Sequence, residues 1–307
     1  MKWLLKVPDR LSTILAAIIV LVFFVVPLGF IAVYSVFHYN PLQIYTRGFT
    51  GENYLTMVTD PYSRGALVRT IWLSGAATLI CLVVGYVIGL YLRKASRSER
   101  ILITIVALIP VLLSDVVLAY AWLALLARTG PVSSVLDTLG LSAGPVSIIG
   151  TETAILLGLV YHGIGYMILN LHSALEAIGD AELRAAATLG AGPFTRFLRV
   201  TLPLSLPGVM SGVLITFAVS SSAFVIPQML GGPENTVLSV FVYDMNVFLL
   251  NWPVGAAATI LLLVISVSTA WGLIALGNGR SQQSGGQDIQ TRTSPAAPIA
   301  ETVGSHA

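Results

Sequence analysis

The sequence predicts an all-α integral membrane protein with six transmembrane helices and both termini cytoplasmic, and three observations carry that expectation. Of 307 residues, 56% are hydrophobic and only 10% charged, whereas a soluble domain carries about 25% charged residues. There is too little charge to clothe a core in water. Six stretches with no charge or one are each long enough to cross a hydrocarbon layer of about 30 Å, which takes about 20 helical residues. Lysine and arginine, finally, crowd into alternate connections between those stretches. The same composition excludes other classes. A single cysteine, Cys81, forms no internal disulfide and no thiolate metal site. A net charge of +2 without an arginine block gives nucleic acid nothing to bind.

The elements follow in order. Residues 11–37 are free of charge and run through bulky Phe, Val and Ile well past the short apolar region of a secretory signal, so they form an uncleaved first span. Residues 70–92 form the second and residues 101–127, interrupted only by Asp115, the third. Residues 153–175 form the fourth, and the cores of the fifth and sixth fall near 208–226 and 254–276. Lys2, Lys6, Arg10, Arg93, Lys94, Arg97, Arg100, Arg184, Arg196, Arg199, Arg280 and Arg292 fall on one side of these spans, and only Arg47, Arg64, Arg69 and Arg128 on the other. Basic flanks stay in the cytoplasm, which places both termini there. A transmembrane domain over 1–276 is thus followed by a tail over 277–307, rich in Gly, Ser, Gln and Pro and without apolar periodicity, which is expected to be disordered.

One connection is patterned beyond its need. The cytoplasmic loop at about 176–203 carries a helix-forming segment, 182–189, with three consecutive alanines, then Gly190, then a second helical pattern over 193–200. Gly190 supplies the positive φ that ends a helix. Leu202-Pro203 and Leu206-Pro207 place two proline stops before the fifth span. The loop is therefore expected to be a rigid helix, break and short helix.

These residues resemble the membrane permease subunits of bacterial ATP-binding-cassette importers, whose cytoplasmic coupling loop runs Glu-Ala-Ala, three residues, Gly, nine residues, Ile-x-Leu-Pro. Here Ala185, Ala186, Gly190, Val200, Leu202 and Pro203 keep every spacing, and Arg184 stands where the family has Glu. The resemblance extends over residues 11–276 to the spermidine/putrescine-type subgroup. It is carried by Ala119 to Trp122, Gly130-Pro131-Val132, Phe224 to Pro233 and Asn251 to Ala257, while a basic residue common in the subgroup before the Tyr is absent near Leu118.

The resemblance implies the type I importer fold in the inner membrane, surrounded by lipid, with a polyamine as solute. It also implies a second related permease, an ATPase dimer gripping Arg184, Ala185, Ala186, Gly190, Leu202 and Pro203, and an extracytoplasmic solute-binding protein. No GxxxxGK[ST] phosphate loop occurs in the sequence, so ATP and its Mg would be held by the partner ATPase, and no cofactor by this chain. The alternatives are a permease of this kind for another small solute, or a secondary transporter driven by an ion gradient. The latter commonly shows paired broken helices and several intramembrane acids.

Single residues divide between path and packing. Asp115, in mid-span, is either a cation-attracting group in a translocation path or a cap on a half-helix begun after Pro110 and Ser114. Tyr120, Trp122, Tyr161, Tyr166 and Phe224 are aromatic candidates for holding a cation by the ring face. Glu234 and Asp244 are candidates for the outer mouth. His162 and His172 are too far apart on one helix to chelate a metal and read as packing residues, as do Ser220, Ser221 and Ser222. Gly85 and Gly89 form a GxxxG pair that calls for a close helix contact.

Overall fold

Apolar length makes the helices and polar residues start them. In this computed structural model, which describes residue 14 and residues 17–140, 144 and 146–285 with side chains as far as residue 272, six helical segments are long and apolar enough to cross a membrane, the third of them Asp115–Thr138 rather than the expected 101–127. The first, α1 (Ala17–Tyr34), leads into an antiparallel hairpin of β1 (His38–Asn40) and β2 (Ile44–Thr46). The Asn40 side chain holds its turn by accepting from the N–H groups of Leu42 and Gln43. A short α2 (Glu52–Thr59) precedes α3 (Pro61–Leu92). Asp60 caps α3 by accepting from the Ser63 N–H at 2.9 Å, and that bond holds its carboxyl below the usual carboxylate range.

The stretch 101–127, expected as one span, is two helices. α4 (Arg97–Leu112) starts on a capping box between Ser96 and Glu99 and ends where Leu113 turns extended. α5 (Asp115–Leu126) starts afresh, with the Ser114 hydroxyl accepting from the Val116 N–H. Pro110, in the last turn of α4, has no N–H to give the turn before it, and Ser114 offers a new start within one turn. Beyond it lies α6 (Pro131–Thr138).

The packing axis is α7 (Glu152–Glu176), against which α3, α4 and the later α9 all lie. Glycine permits that closeness. A Cβ on Gly158 would stand 2.5 Å from Ile226, one on Gly163 would stand 2.8 Å from Thr216, and one on Gly165 would collide with the Ala107 carbonyl oxygen. Gly85 and Gly89 of α3 meet Met167 and Leu175, so the GxxxG contact is made within the chain.

α8 (Asp180–Thr188) follows on the side where the α3 and α4 spans turn back, then α9 (Pro193–Ser222). The expected proline stops are absent, because α9 runs unbroken through Pro203 and Pro207. A widened turn at Phe197–Thr201, in which the Leu202 N–H reaches back to the Phe197 carbonyl, absorbs the Pro203 ring. Pro207 comes one turn later, also on an exposed face. At its far end α9 stops at Ser222, short of the expected residue 226.

α10 (Val225–Leu230) and α11 (Leu238–Phe248) are short, and α12 (Trp252–Gly285) is the last span. Residues 277–285, expected to begin a disordered tail, are helical. The rest of that tail, 286–307 with Arg292, and the basic residues Lys2, Lys6 and Arg10 lie outside the described residues.

Candidate functional site

The patterned loop is a braced helix. Thr188 ends α8, and Gly190 at φ +79° turns the chain back. The Ala191 N–H then reaches the Ala186 carbonyl and the Gly190 N–H the Ala187 carbonyl, which satisfies two acceptors the helix end leaves open. Arg93, at the end of α3, donates to the Ile178 carbonyl at 3.0 Å and lies 3.4 Å from the Asp180 carboxylate. Arg100 of α4 pairs with Glu176 at 2.8 Å. On the α9 side, buried Tyr86 and Ser205 share a 2.6 Å hydrogen bond, and the Tyr86 ring lies edge-on to Phe197. The loop thus hangs from α3 and α4 as well as from its own neighbours.

Of the residues expected there, Arg184 and Ala185 are exposed, Ala186 is half-buried and Gly190 makes the break. Leu202 and Pro203 belong to α9, with Leu202 packed in the cluster around Met167 and Leu171. Leu189 and Phe194, read in the sequence only as members of the two helical patterns, are 87% and 73% exposed, apolar knobs on either side of the break. Their signal was the flanking of the Gly190 to Gly192 break by two large apolar side chains.

The second constellation lies at the break between α4 and α5. Asp115 opens α5, and its Oδ1 stands 3.4 Å from Nδ1 of His162 on α7, an ion-pair distance without hydrogen-bond alignment. The Tyr166 ring lies edge-on to His162 at 6.1 Å. Seven residues on, hence on the same face of α5, Trp122 meets Tyr161 edge-on at 5.9 Å. Trp122 and Phe224 pack on one buried cluster around Leu126 and Ile226. Tyr120 is not brought to this face and is 62% exposed. The cap of the half-helix is Ser114 and not Asp115, which sits in the first turn and faces an imidazole. His162 could not be paired with it from sequence, because the contact joins residues 47 positions apart.

At the other end of the spans Glu234 is exposed in a short turn, Pro233–Asn235. Asp244 is half-buried in α11, where burial pushes its carboxyl above the usual range. Among the described residues no group of three or more His, Cys, Asp or Glu is placed to hold a metal.

The sequence matches the family described as binding-protein-dependent transport system inner membrane component over residues 81–275. It is 31% identical over 223 residues to the spermidine/putrescine transport system permease PotB of Haemophilus influenzae, covering 73% of this chain and 78% of that protein. PotB of Escherichia coli is 30% identical over 217 residues, covering 71% and 78%. The molybdenum transport system permease ModB of Mycobacterium bovis is 30% identical over 227 residues, covering 73% and 81%. Among solved structures, a bacterial ABC transporter that imports the acidic polysaccharide alginate superposes with a TM-score of 0.73 over 88% of this chain and 94% of that one, at 18% identity. A second structure of an alginate transporter, in complex with its alginate-loaded periplasmic protein, gives 0.70 over 89% and 93%, also at 18% identity.

Proposed function

From the premise that the chain belongs to the family of binding-protein-dependent transport system inner membrane components, and so is a permease subunit of an ATP-binding-cassette importer rather than an enzyme, we propose that its solute is a polyamine such as putrescine or spermidine. The observation that carries this reading is the similarity to two spermidine/putrescine permeases. Asp115 supports it by the sign of its charge. An acid at the helix break attracts an amine and repels an anion, and the Trp122–Tyr161 pair two turns further along α5 offers aromatic rings to a cation. Family membership sets aside the ion-gradient transporter.

In this reading a partner ATPase dimer, holding ATP and Mg, grips α8 and the knobs Leu189 and Phe194. Its closure is passed through Arg93 and Arg100 to α3 and α4, and a second related permease completes the pathway. An extracytoplasmic binding protein delivers the solute near Glu234 and Asp244. The two end states differ in the contacts around α8, which is what lets ATP bias one against the other.

Uptake of labelled spermidine, putrescine and molybdate by cells lacking the gene is the test. Polyamine uptake is expected to vanish and to return with the wild-type chain. Asp115→Asn is expected to restore about tenfold less or lower, the cost of a lost charge-assisted bond. Intact polyamine uptake with lost molybdate uptake would turn the reading to an oxyanion.

A further inference from the structure

Behind α8, where α3 ends and α9 begins, lies a cavity of about 530 Å³. Its lining divides by chemistry. Leu90, in the last turn of the α3 span, and Phe197, in the early turns of α9, supply an apolar wall, while Arg93, Lys94 and Arg196 supply three cations against one acid, Asp180. Arg93 already occupies that acid at 3.4 Å and also donates to the Ile178 carbonyl. Neither Lys94 nor Arg196 has a carboxylate within ion-pair range among the described residues. The Nε of Arg196 is moreover buried without any hydrogen-bond partner, and a charged donor left that way is costly. The cavity therefore presents two cations without a carboxylate partner beside an apolar wall, where the α3 span ends and the α9 span begins.

We propose that this cavity is a binding site for an anionic phospholipid, whose phosphodiester meets Lys94 and Arg196 and whose glycerol and upper acyl chain lie on Leu90 and Phe197. Basic pockets between helix ends on the cytoplasmic side suit such head groups. A free phosphate would use the cations and leave the wall idle, and the exposed residues Arg184, Leu189 and Phe194 do not line the cavity. The site shares Arg93 and the inner side of α8 with the coupling route proposed above but none of the exposed contact residues Arg184, Leu189 and Phe194. A lipid held here fills the space between α8 and α3 and stiffens the connection from the loop to the spans.

Native mass spectrometry of the purified full chain, titrated with phosphatidylglycerol or with phosphatidylcholine, is the test. Wild type is expected to retain phosphatidylglycerol in preference, and Lys94→Gln with Arg196→Gln to weaken that retention about tenfold with phosphatidylcholine unchanged. Lys94 is exposed, so Lys94→Gln alone, which cannot disturb packing, is expected to show a smaller loss in the same direction. Arg128→Gln, in a connection between other helices, is expected to leave retention as it was. Retention unchanged in both Lys94→Gln and the double variant overturns the proposal, as does an equal loss in Arg128→Gln. Displacement of the lipid by inorganic phosphate, or by the partner ATPase, overturns it in favour of a free anion or of a protein contact.

Discussion

At Gly190 the chain adopts φ +79°, with nothing within 4 Å of where a Cβ would stand. Space is therefore not the constraint there, and backbone strain is. A β-branched residue is strongly disfavoured at positive φ, so Gly190→Val should unwind the end of α8 while leaving the spans in place. The expected outcome is normal insertion and amount in the membrane, with transport and solute-stimulated ATPase activity of the assembled transporter falling together by tenfold or more. Near-normal transport would remove the break from the mechanism. Gly190 was legible because a positive-φ requirement is local and written in one residue. The partner of Asp115 was not, because His162 approaches only through the packing of α5 on α7, and nothing in either local sequence encodes that crossing.

Elements were legible by their apolar length and less so by their starts. The starts at Asp60-Pro61 and at the Ser96–Glu99 capping box are short-range patterns that the sequence reading passed over, since it began these helices at 70 and 101 while they begin at Pro61 and Arg97. The proline stops failed because a proline's missing N–H ends a helix only if the preceding turn cannot widen, and the turn at Phe197–Thr201 does widen. The third span failed in the opposite sense, since the apolar run was long enough to read as one span although Pro110 and Ser114 already offered the half-helix start that the Leu113–Ser114 break confirms. Helix contact offers its own test in α7. A side chain at Gly165 must displace the α4 backbone at Ala107, whereas Gly75 of α3 has nothing within 4 Å of its Cβ position. Gly165→Leu is expected to cost about 1–3 kcal/mol or more, and Gly75→Leu to stay within about 0.5 kcal/mol. Thermal unfolding of the two variants in detergent, compared with wild type, measures the difference; equal midpoints would show that α4 and α7 are not in close contact.

For the whole molecule, six spans were legible because hydrocarbon thickness is a length any sequence must meet, and the basic asymmetry predicts their direction. That direction places the Arg93–Arg100 connection inside, so Ser96→Cys in a chain otherwise lacking cysteine is expected to resist a membrane-impermeant thiol reagent in intact cells and to react in inverted vesicles. Labelling in intact cells would reverse the assignment. The arrangement of spans around α7 also bears on how the chain enters the bilayer. No described residue of α1 is buried, so its surroundings on leaving the ribosome are nearly those it keeps. α7 is the most buried span, and its glycines present bare backbone that lipid tails fill poorly. Because α3 and α4 are synthesised before it and α9 after it, one flank of α7 finds its partner at once. The Gly158 and Gly163 faces wait for α9 and α10, which makes the fifth span and the short helix after it the step that completes the surroundings of α7.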